Sequence, residues 1–429
     1  MGASMSWMQN TNAMNKIILI IITILGSLTA KPQVMTGLDS ICAAIREGNP
    51  SLRSSDALIR SLDEAAKGAR SWDAPLLSTG LWMTPYNPNL WKRQADGSPG
   101  MGQYMVSAEQ MLPNRRRLDA EEAYMQGMSA VEKQKKGAAL NELYAAARQN
   151  YYQWMMIQKK LKVLDQNTKL LDFMIRDAEL KYKNNLGRIN VYYKAKAALG
   201  NVESIRIDLE NEIVQKRVML NTLMHRDKSM VFEIDTAYSI NDFSVPAVDS
   251  AYLSEARSDI KAVQQDIRLT GLQQQAERVK LKPEFGVRFD HMFGFGGVPM
   301  QYSLMGMIRL PVAWSSRGAR ANIESLKWKT EALNQEKEKM INEAEGSYYG
   351  LQQEIASKQR QLRVLDEKVI PALQKNYQTM LLAYEQNTEE LFNLYDAWET
   401  LNSTQLEYWD RVQQLLLMQV ELQRILEIK

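Results

Sequence analysis

The sequence has few of the residues that build most catalytic and metal centres. Its 429 residues include one cysteine, Cys42, and two histidines, His225 and His291. A lone cysteine cannot form a disulfide within the chain, and the two histidines lie too far apart in sequence for the His-Glu-x-x-His motif of zinc enzymes. The glycine-rich stretch 294–297 lacks the Lys-Ser/Thr pair of a phosphate-binding loop, and we interpret it as a hairpin turn. These absences predict a protein that is not an enzyme and that binds no cofactor.

A strong charge of either sign is also missing. Lys and Arg total 53 and Asp and Glu total 50, which gives a net charge of +3. A nucleic-acid-binding surface needs a concentration of basic residues, yet the longest basic cluster is Arg115–Arg117. We therefore expect no nucleic-acid partner, and we interpret the three arginines as a solvated or lipid-headgroup anchor where a strand gives way to a helix.

Long apolar runs are confined to the N-terminus. Lys16 precedes the apolar run 17–25, which is followed by small residues that end at Ala30. This order is typical of a secretory signal peptide, so we assign residues 1–30 to one; the alternative is an uncleaved anchor. No later run approaches the roughly 18 apolar residues of a membrane helix, so any membrane crossing by the mature chain must use β-strands.

An internal duplication organises the rest of the chain. Four pairs of segments recur in the same order at a nearly constant offset: 161–165 with 362–366, 151–152 with 348–349, 110–113 with 308–311, and 180–182 with 382–384. We predict a first repeat at 31–224, a linker at 225–252 and a second repeat at 253–429. Within the linker, 230–234 is strand-like and 244–246 is turn-like. Each repeat has the patterns of a short helix, two strands, a very long helix, a tight break and a long helix.

Two segments, 115–184 and 318–385, are predicted to be very long helices because each has almost 70 residues with few helix breakers. Between Leu140 and Ile175 the seam positions recur every three or four residues, a mean spacing of about 3.5 that is typical of a coiled-coil seam, and 391–426 keeps the same rhythm. The segment 318–385 has few helix breakers except Pro371, which we expect to kink or interrupt it. At about 1.5 Å per residue each helix would reach roughly 100 Å, so both must pack against other helices along their length.

Two hairpins are predicted, one in each repeat. Apolar and polar residues alternate over 281–293, a return strand follows at 300–310, and the first repeat has a weaker copy at 76–83 and 103–112. Alternation over about ten residues is what a tilted membrane strand needs. Four strands cannot close a barrel, and an open edge in lipid leaves backbone groups unpaired. The chain must therefore oligomerise; two copies would close at eight strands and three at twelve.

The duplicated helix–hairpin–helix–helix unit, the export signal and the lack of disulfides resemble the TolC-like outer membrane efflux family over nearly the whole mature chain. The stretch 38–50 is similar to the family's N-terminal helix that ends in Asn-Pro, and the strands end in Leu-Pro at 112–113 and 310–311. The two helix breaks carry Asn185 and Asn387 where the family often has Gly. Asn also tolerates the left-handed backbone that a tight reversal needs.

The resemblance implies a mainly α fold with a small β part. The expected assembly is a homotrimer with a long coiled-coil α-barrel in the periplasm and a twelve-stranded β-barrel in the bacterial outer membrane, four strands from each chain. It would be the passive exit duct of a tripartite efflux system, in contact with outer membrane lipid, a periplasmic adaptor (a membrane fusion protein) and an inner-membrane RND-type pump. Two alternatives stay open: a type I protein-secretion channel, and an exported coiled-coil scaffold or adhesin that never enters a membrane.

The resemblance also implies two functional regions at the helix breaks. The helix tips that dock the adaptor are Asn185, Leu186, Gly187, Asn387 and Thr388. The periplasmic gate is expected just past the second break, at Glu389, Glu390, Asn393 and Asp396. Asp396 lies where the family places one acid of a ring, and Asn393 lies where a second acid often stands. Three copies of these acids around one axis would attract cations; the alternative is that they are solvated acids stabilised by the helix dipole.

Methionine is abundant, at 24 residues. Several lie in one predicted hairpin together with a histidine: His291, Met292, Met300, Met305 and Met307. Thioethers bind soft cations such as copper(I) or silver, and the family that the chain resembles includes cation exporters. These residues are therefore candidate metal ligands, and metal cations are a candidate cargo beside drugs. The alternative is that flexible methionines fill packing gaps or face lipid.

Overall fold

A computed structural model of the chain describes residues 35–185, 188–236, 248–386 and 388–428. The predicted signal peptide and the helix-tip residues Leu186, Gly187 and Asn387 lie outside these ranges. The helices, in chain order, are α1 (Leu38–Gly48), α2 (Pro50–Lys67), α3 (Arg115–Lys183), α4 (Ile189–Leu223), α5 (Ser250–Ala256), α6 (Ser258–Val279), α7 (Arg317–Val364), α8 (Ile370–Glu385) and α9 (Leu391–Leu426). The strands are β1 (Met35–Thr36), β2 (Leu76–Trp82), β3 (Gln103–Leu112), β4 (Glu233–Ile234), β5 (Glu284–Gly294) and β6 (Gln301–Arg309).

Both very long helical segments are confirmed. The helix α3 runs without interruption for 69 residues. In the second segment α7 gives way to a π-helical turn, Leu365–Val369, before α8 begins. Pro371 is the second residue of α8; it has no N–H to donate to the preceding turn, and its ring crowds the carbonyl four residues earlier. The interruption expected at this proline is thus present as a widened turn.

The two predicted hairpins form one sheet. All four strands are antiparallel in the order β2-β3-β5-β6, and the two hairpins join where β3 pairs with β5 over the whole length of β3. The strands β2 and β6 are the edges of this sheet. One boundary was predicted wrongly: β5 begins at Glu284 and not at Leu281, because Pro283 cannot donate to a strand ladder and the residues before it form a turn.

A second, small pairing lies at the start of the predicted linker. The strand β4 pairs in parallel with β1, with Met35 opposite Glu233. Only the last two residues of the strand-like stretch 230–234 are strand. The predicted turn at 244–246 lies outside the described residues, and the predicted repeat and linker boundaries remain a prediction.

The chain divides into two compact units. The hairpin unit contains the described residues up to Glu47 and those within Ala147–Asn241 and Asp366–Gln413. The sheet unit contains the remainder, which includes all four strands of the large sheet. Among the described residues, no helix combines the length and the apolar character needed to cross a membrane.

A coiled-coil seam forms the core of the hairpin unit. Ile157, Leu164, Leu171 and Ala178 follow one another along α3 in steps of seven residues, and all are buried. They pack with Val202 and Leu209 of α4 and with buried residues of α8 and α9, namely Tyr384, Leu391, Leu394, Tyr395 and Trp398. A strict seven-residue repeat keeps one stripe of a helix facing its neighbours. The core therefore holds α3, α4, α8 and α9 together around the two helix turns.

Candidate functional site

The two helix turns of the hairpin unit lie side by side and line a cavity of about 690 Å³. One turn connects α3 to α4 and the other connects α8 to α9. The lining residues are Ala178, Lys181, Asn185, Arg188, Val191, Tyr384, Glu389, Glu390, Leu391 and Phe392. They include two cations and two acids, together with apolar and aromatic side chains.

The first turn is built by two asparagines. The carbonyl of Leu180, near the end of α3, accepts from the Asn184 side chain at 3.0 Å and from the Asn184 backbone N–H at 3.1 Å. Asn185 adopts a φ of 58°, and its N–H donates to the carbonyl of Tyr182. This is the left-handed backbone that the sequence predicted for Asn185, and few residues other than Gly and Asn adopt it easily.

The second turn is closed by Thr388. Its backbone N–H and its hydroxyl each donate to the carbonyl of Ala383 at 2.9 Å, near the end of α8. Three residues later α9 begins at Leu391. Of the five predicted helix-tip residues, Asn185 and Thr388 are thus exposed polar residues of the turns, and the other three lie outside the described residues.

The four predicted gate residues fall into two groups. Glu389 and Glu390 line the cavity together with Lys181 and Arg188 of the other turn. Asn393 and Asp396 lie farther along α9, are exposed and are not part of the cavity lining. The Asn393 side chain donates to Glu389 Oε2 at 2.8 Å, so the amide that replaces an expected acid helps to orient a neighbouring acid.

The hairpin unit contains two helical hairpins, α3–α4 and α8–α9. A polar contact that the sequence did not indicate joins them. The hydroxyl of the buried Tyr384 on α8 donates to the Asp177 carboxylate on α3. The Lys181 ammonium lies 3.7 Å from the centre of the Tyr384 ring and 3.6 Å from Asp177 Oδ2. Hydrogen bonds to charged groups are among the stronger ones. We name Asp177, Lys181 and Tyr384 the clasp.

A second contact joins the hairpins on the other side of the turns. The Lys194 ammonium of α4 lies 4.3 Å from the centre of the Phe392 ring and 4.2 Å from that of Tyr395, both on α9. A cation at this distance is attracted to the faces of aromatic rings. Burial raises the pKa of the Tyr395 hydroxyl, and the nearby Glu399 adds to that shift.

Farther along the seam the same helices share a buried polar contact. The Trp398 Nε1–H donates to Asn167 Oδ1 at 2.8 Å, and the Asn167 amide donates to Asn402 Oδ1. Asn167 is 8% exposed, and buried polar groups are costly unless they are paired. A satisfied polar contact in an apolar seam fixes the register of the helices that share it.

The large sheet has one apolar face. Since side chains alternate along each strand, the pairing registers place on this face Leu77, Thr79, Leu81, Tyr104, Val106, Ala108, Gln110, Leu112, Phe285, Val287, Phe289, His291, Phe293, Tyr302, Leu304, Gly306 and Ile308. Large apolar side chains here are widely exposed: 56% for Phe285, 61% for Ile308 and 68% for Leu304. We call this surface the apolar face.

The opposite surface of the sheet, the mixed face, carries charged residues and methionines. Ser107 donates to Asp290 Oδ1 at 2.5 Å, and Arg288 Nε lies 2.9 Å from the same oxygen. At the end of the sheet next to the helices, Glu284 accepts from Arg117 at 2.6 Å and from Arg309 at 3.2 Å. The charged groups of this face are therefore largely paired within the sheet unit.

The structure separates the candidate metal ligands that the sequence grouped together. His291 lies on the apolar face, whereas Met292, Met305 and Met307 lie on the mixed face, and Met300 precedes β6. A site made jointly by His291 and these methionines is thus not formed. Within the described ranges, no three His, Cys, Asp or Glu side chains are grouped as metal ligands would be.

Comparison with known proteins gives a likeness of fold. Neither a family model nor a curated protein sequence matches the chain. Among solved structures, the chain is similar to the outer membrane protein VceC of Vibrio cholerae, with a TM-score of 0.70, 14% identity and coverage of 91% of this chain and 95% of that one. It is also similar to the CmeC outer membrane channel of Campylobacter jejuni, with a TM-score of 0.72, 10% identity and coverage of 91% and 85%.

A third solved structure is the open state of the MtrE outer membrane channel of Neisseria gonorrhoeae, with a TM-score of 0.70, 14% identity and coverage of 91% of this chain and 88% of that one. The likeness extends over nearly all of both chains in each case. The chain therefore has the fold of outer membrane channels, which confirms the mainly α fold with a small sheet that the family resemblance implied.

Proposed function

We propose that this protein is the outer membrane channel of a tripartite efflux system. The observation that carries the proposal is the large sheet, which exposes a continuous apolar face and has two unpaired edges, β2 and β6. Fully burying a side chain such as Leu or Phe is worth about 1.5–3 kcal/mol. Exposed to water, such a face would be strongly unfavourable, whereas lipid tails would cover it.

The open edges support assembly into a closed barrel. Each edge strand presents a row of backbone N–H and C=O groups, and a membrane leaves such groups no water to pair with. If β6 of one chain pairs with β2 of the next, every strand gains its missing neighbour. We propose a homotrimer with twelve strands, because the fold is that of outer membrane channels and three chains of four strands give a barrel of known size.

In this assembly the helices lie in the periplasm and the duct is passive. The two helix turns form the surface that docks a periplasmic adaptor. Besides the cavity charges, this surface exposes aromatic side chains: Tyr182, Tyr193 and Phe392 are 47%, 61% and 46% exposed. Exposed aromatic residues among charges of both signs are typical of protein interfaces. The adaptor would link the channel to an inner-membrane RND-type pump, which supplies the energy of transport.

The acids that follow the second turn supply the gate in this proposal. Asp396 is exposed on α9 and forms one ring of three acids around the axis, with Glu389 and Glu390 nearer the turn. The clasp lies beside these residues and holds α8 against α3. We propose that the periplasmic entrance has a narrow state and a wider one, and that the clasp holds the helical hairpins α3–α4 and α8–α9 of one chain together in the narrow state. The acidic ring attracts cations to the entrance.

The proposal is tested by the mass and conductance of the purified protein. We expect the mature chain, extracted from outer membranes in detergent, to have the mass of three chains by light scattering and to form ion-conducting channels in planar bilayers. A chain that stays monomeric and soluble without detergent would contradict the proposal and favour the scaffold or adhesin. Channels that copurify with a secreted protein rather than an adaptor would favour the type I secretion alternative.

A further inference from the structure

All five methionines of the large sheet lie on the same face. Met105 and Met111 of β3, Met292 of β5, and Met305 and Met307 of β6 all belong to the mixed face by the pairing registers. None of the positions on the apolar face is a methionine. Methionines that served only as lipid-facing apolar groups would be expected on the other side of the sheet, so their placement calls for another explanation.

Two of these thioethers converge on Gly286. In the ladder Met111 pairs with Gly286, which pairs with Met307, so the two methionines lie on either side of a residue without a side chain. A methyl group placed on Gly286 would be 2.6 Å from Met111 Sδ and 3.0 Å from Met307 Cε. Both side chains therefore bend over the glycine from opposite directions and occupy the space that a larger residue would fill.

A third thioether lies on the same face of the sheet, next to a paired arginine. Met305 lies two residues before Met307 on the same face of β6 and is 42% exposed. Its neighbour across the ladder, Arg288, is paired with Asp290. Glu284 is paired with two arginines, and Glu109 lies opposite Arg288 on the same face. Carboxylates are hard donors, so the sulfur atoms are the soft donors of this region.

We propose that Met111, Met305 and Met307 form a binding site for a soft monovalent cation, copper(I) or silver(I), on the mixed face of the sheet. Thioether sulfur selects such cations over hard ones. Gly286 is the positioning residue, because any side chain there would collide with Met111 Sδ and Met307 Cε and push the two thioether side chains apart. The site itself does not depend on the proposed function. If that function holds, the mixed face lines the interior of the barrel, and the site lies on the path of an exported cation.

The test is a calorimetric titration of the detergent-solubilised protein with silver nitrate in chloride-free buffer. Every sample carries Cys42→Ser, because the only thiol of the chain would otherwise compete for silver. The test variant is Met111→Leu with Met307→Leu, and the matched control is Met105→Leu with Met292→Leu on the same face. Leu and Met have similar volumes, so both double variants should fold.

We expect the test variant to bind silver at least tenfold more weakly than its Cys42→Ser parent, while the control keeps the parent's affinity. Unchanged affinity in the test variant, or an equal loss in the control, would overturn the site. X-ray absorption of the silver-loaded parent should show sulfur neighbours only; nitrogen from His291 would also overturn it.

Conductance and mass are recorded on the same samples to separate this proposal from the proposed function. The test variant should remain trimeric and conducting, because neither methionine lies on the apolar face and replacing Met by Leu leaves the backbone groups of the edge strand β6 unchanged. Silver binding by a parent that neither trimerises nor conducts would uphold the site and contradict the channel. Conducting trimers in which the test variant binds silver as its parent does would uphold the channel and contradict the site.

Discussion

The large sheet and the two helix turns expose different kinds of surface, and the difference indicates what each meets. One face of the sheet carries mostly apolar side chains and no acidic or basic side chain other than His291, with Leu304 at 68% exposure. The turns instead mix exposed aromatic residues with Lys181, Arg188, Glu389 and Glu390. A predominantly apolar face is suited to lipid tails, whereas a mixture of charge and aromatic surface is suited to a protein partner in water. Substitutions on each surface test whether the sheet meets lipid and the turns meet a protein partner.

The largest effect is expected from a charge on the apolar face. Leu304→Arg should prevent assembly in the outer membrane, because an arginine near the bilayer midplane costs about 2–4 kcal/mol and each trimer would carry three. The measurement is the amount of heat-modifiable trimer in outer membrane fractions.

The matched control for that substitution is Gln301→Arg, on the same strand but on the mixed face. It should assemble at the level of the parent, because water and paired charges surround that face. Equal assembly of both variants would show that the apolar face does not meet lipid.

The next largest effect is expected from the clasp. Tyr384→Phe removes the hydroxyl that donates to Asp177 and leaves the ring in place under Lys181. Hydrogen bonds to charged groups are worth about 1.5–3 kcal/mol, so the narrow state should lose about tenfold or more in relative population. Single-channel recordings should show a higher mean conductance.

Tyr377→Phe is the control for the clasp. This tyrosine lies two turns earlier on α8 and packs against the same core, yet no hydrogen bond of its hydroxyl to Asp177 is present. Its conductance should match that of the parent. If both tyrosine variants conduct alike, the clasp does not hold the entrance.

A smaller change is expected at the acidic ring. Asp396→Asn should weaken block of the channel by multivalent cations, because it removes three charges at one level while keeping the size of the side chain. Glu354→Gln, an exposed residue of α7, removes the same charge in the sheet unit and should leave block unchanged. Unaltered block in Asp396→Asn would remove that residue from the gate.

The smallest effect concerns stability in acid. A hydrogen bond from Arg424 lowers the pKa of Glu421 below its usual value near 4.5, against the opposing effect of burial. A carboxylate with a lowered folded-state pKa stabilises the fold above its unfolded-state pKa, and that contribution is lost as the pH falls through the folded-state value. Glu421→Gln should therefore lower the melting temperature at neutral pH by a few degrees and have less effect in acid.

The exposed Glu338→Gln serves as the control for the acid measurement, since no ion pair of Glu338 is present in the described ranges. Glu338→Gln should change the melting temperature by the same small amount at every pH. A Glu421→Gln variant that melts like its parent at neutral pH would show that the pair with Arg424 contributes nothing measurable.

Most of the fold that could be predicted from the sequence was predicted from the periodic spacing of apolar residues. The two long helices and the four strands were found because their apolar residues recur at helical or alternate spacing. Pro371 was correctly expected to interrupt its helix. The start of β5 was missed because Pro283 continues the alternation while it cannot join the ladder.

The candidate site was less accessible to sequence reasoning because it depends on contacts between distant segments. Asp177 is one of many acids on α3, and only the packing of α8 singles it out as the partner of Tyr384. Alternation alone would have placed His291 and Met292 on opposite faces. That Met111 belongs with Met307 follows only from the register through Gly286.

The central claim is that the sheet edges of neighbouring chains pair to close a barrel, and cross-linking of β2 to β6 tests it most directly. In a Cys42→Ser background, each chain would carry one cysteine in β2, at Ser78, Thr79 or Gly80, and one in β6, at Gln301, Ser303 or Gly306. All combinations are made, because the pairing register between β6 of one chain and β2 of the next is unknown. Oxidation of intact outer membranes should give, for at least one combination, a covalent trimer on denaturing gels that the single-cysteine parents do not form. If every combination stopped at monomers, or at closed dimers, the twelve-stranded barrel would be contradicted.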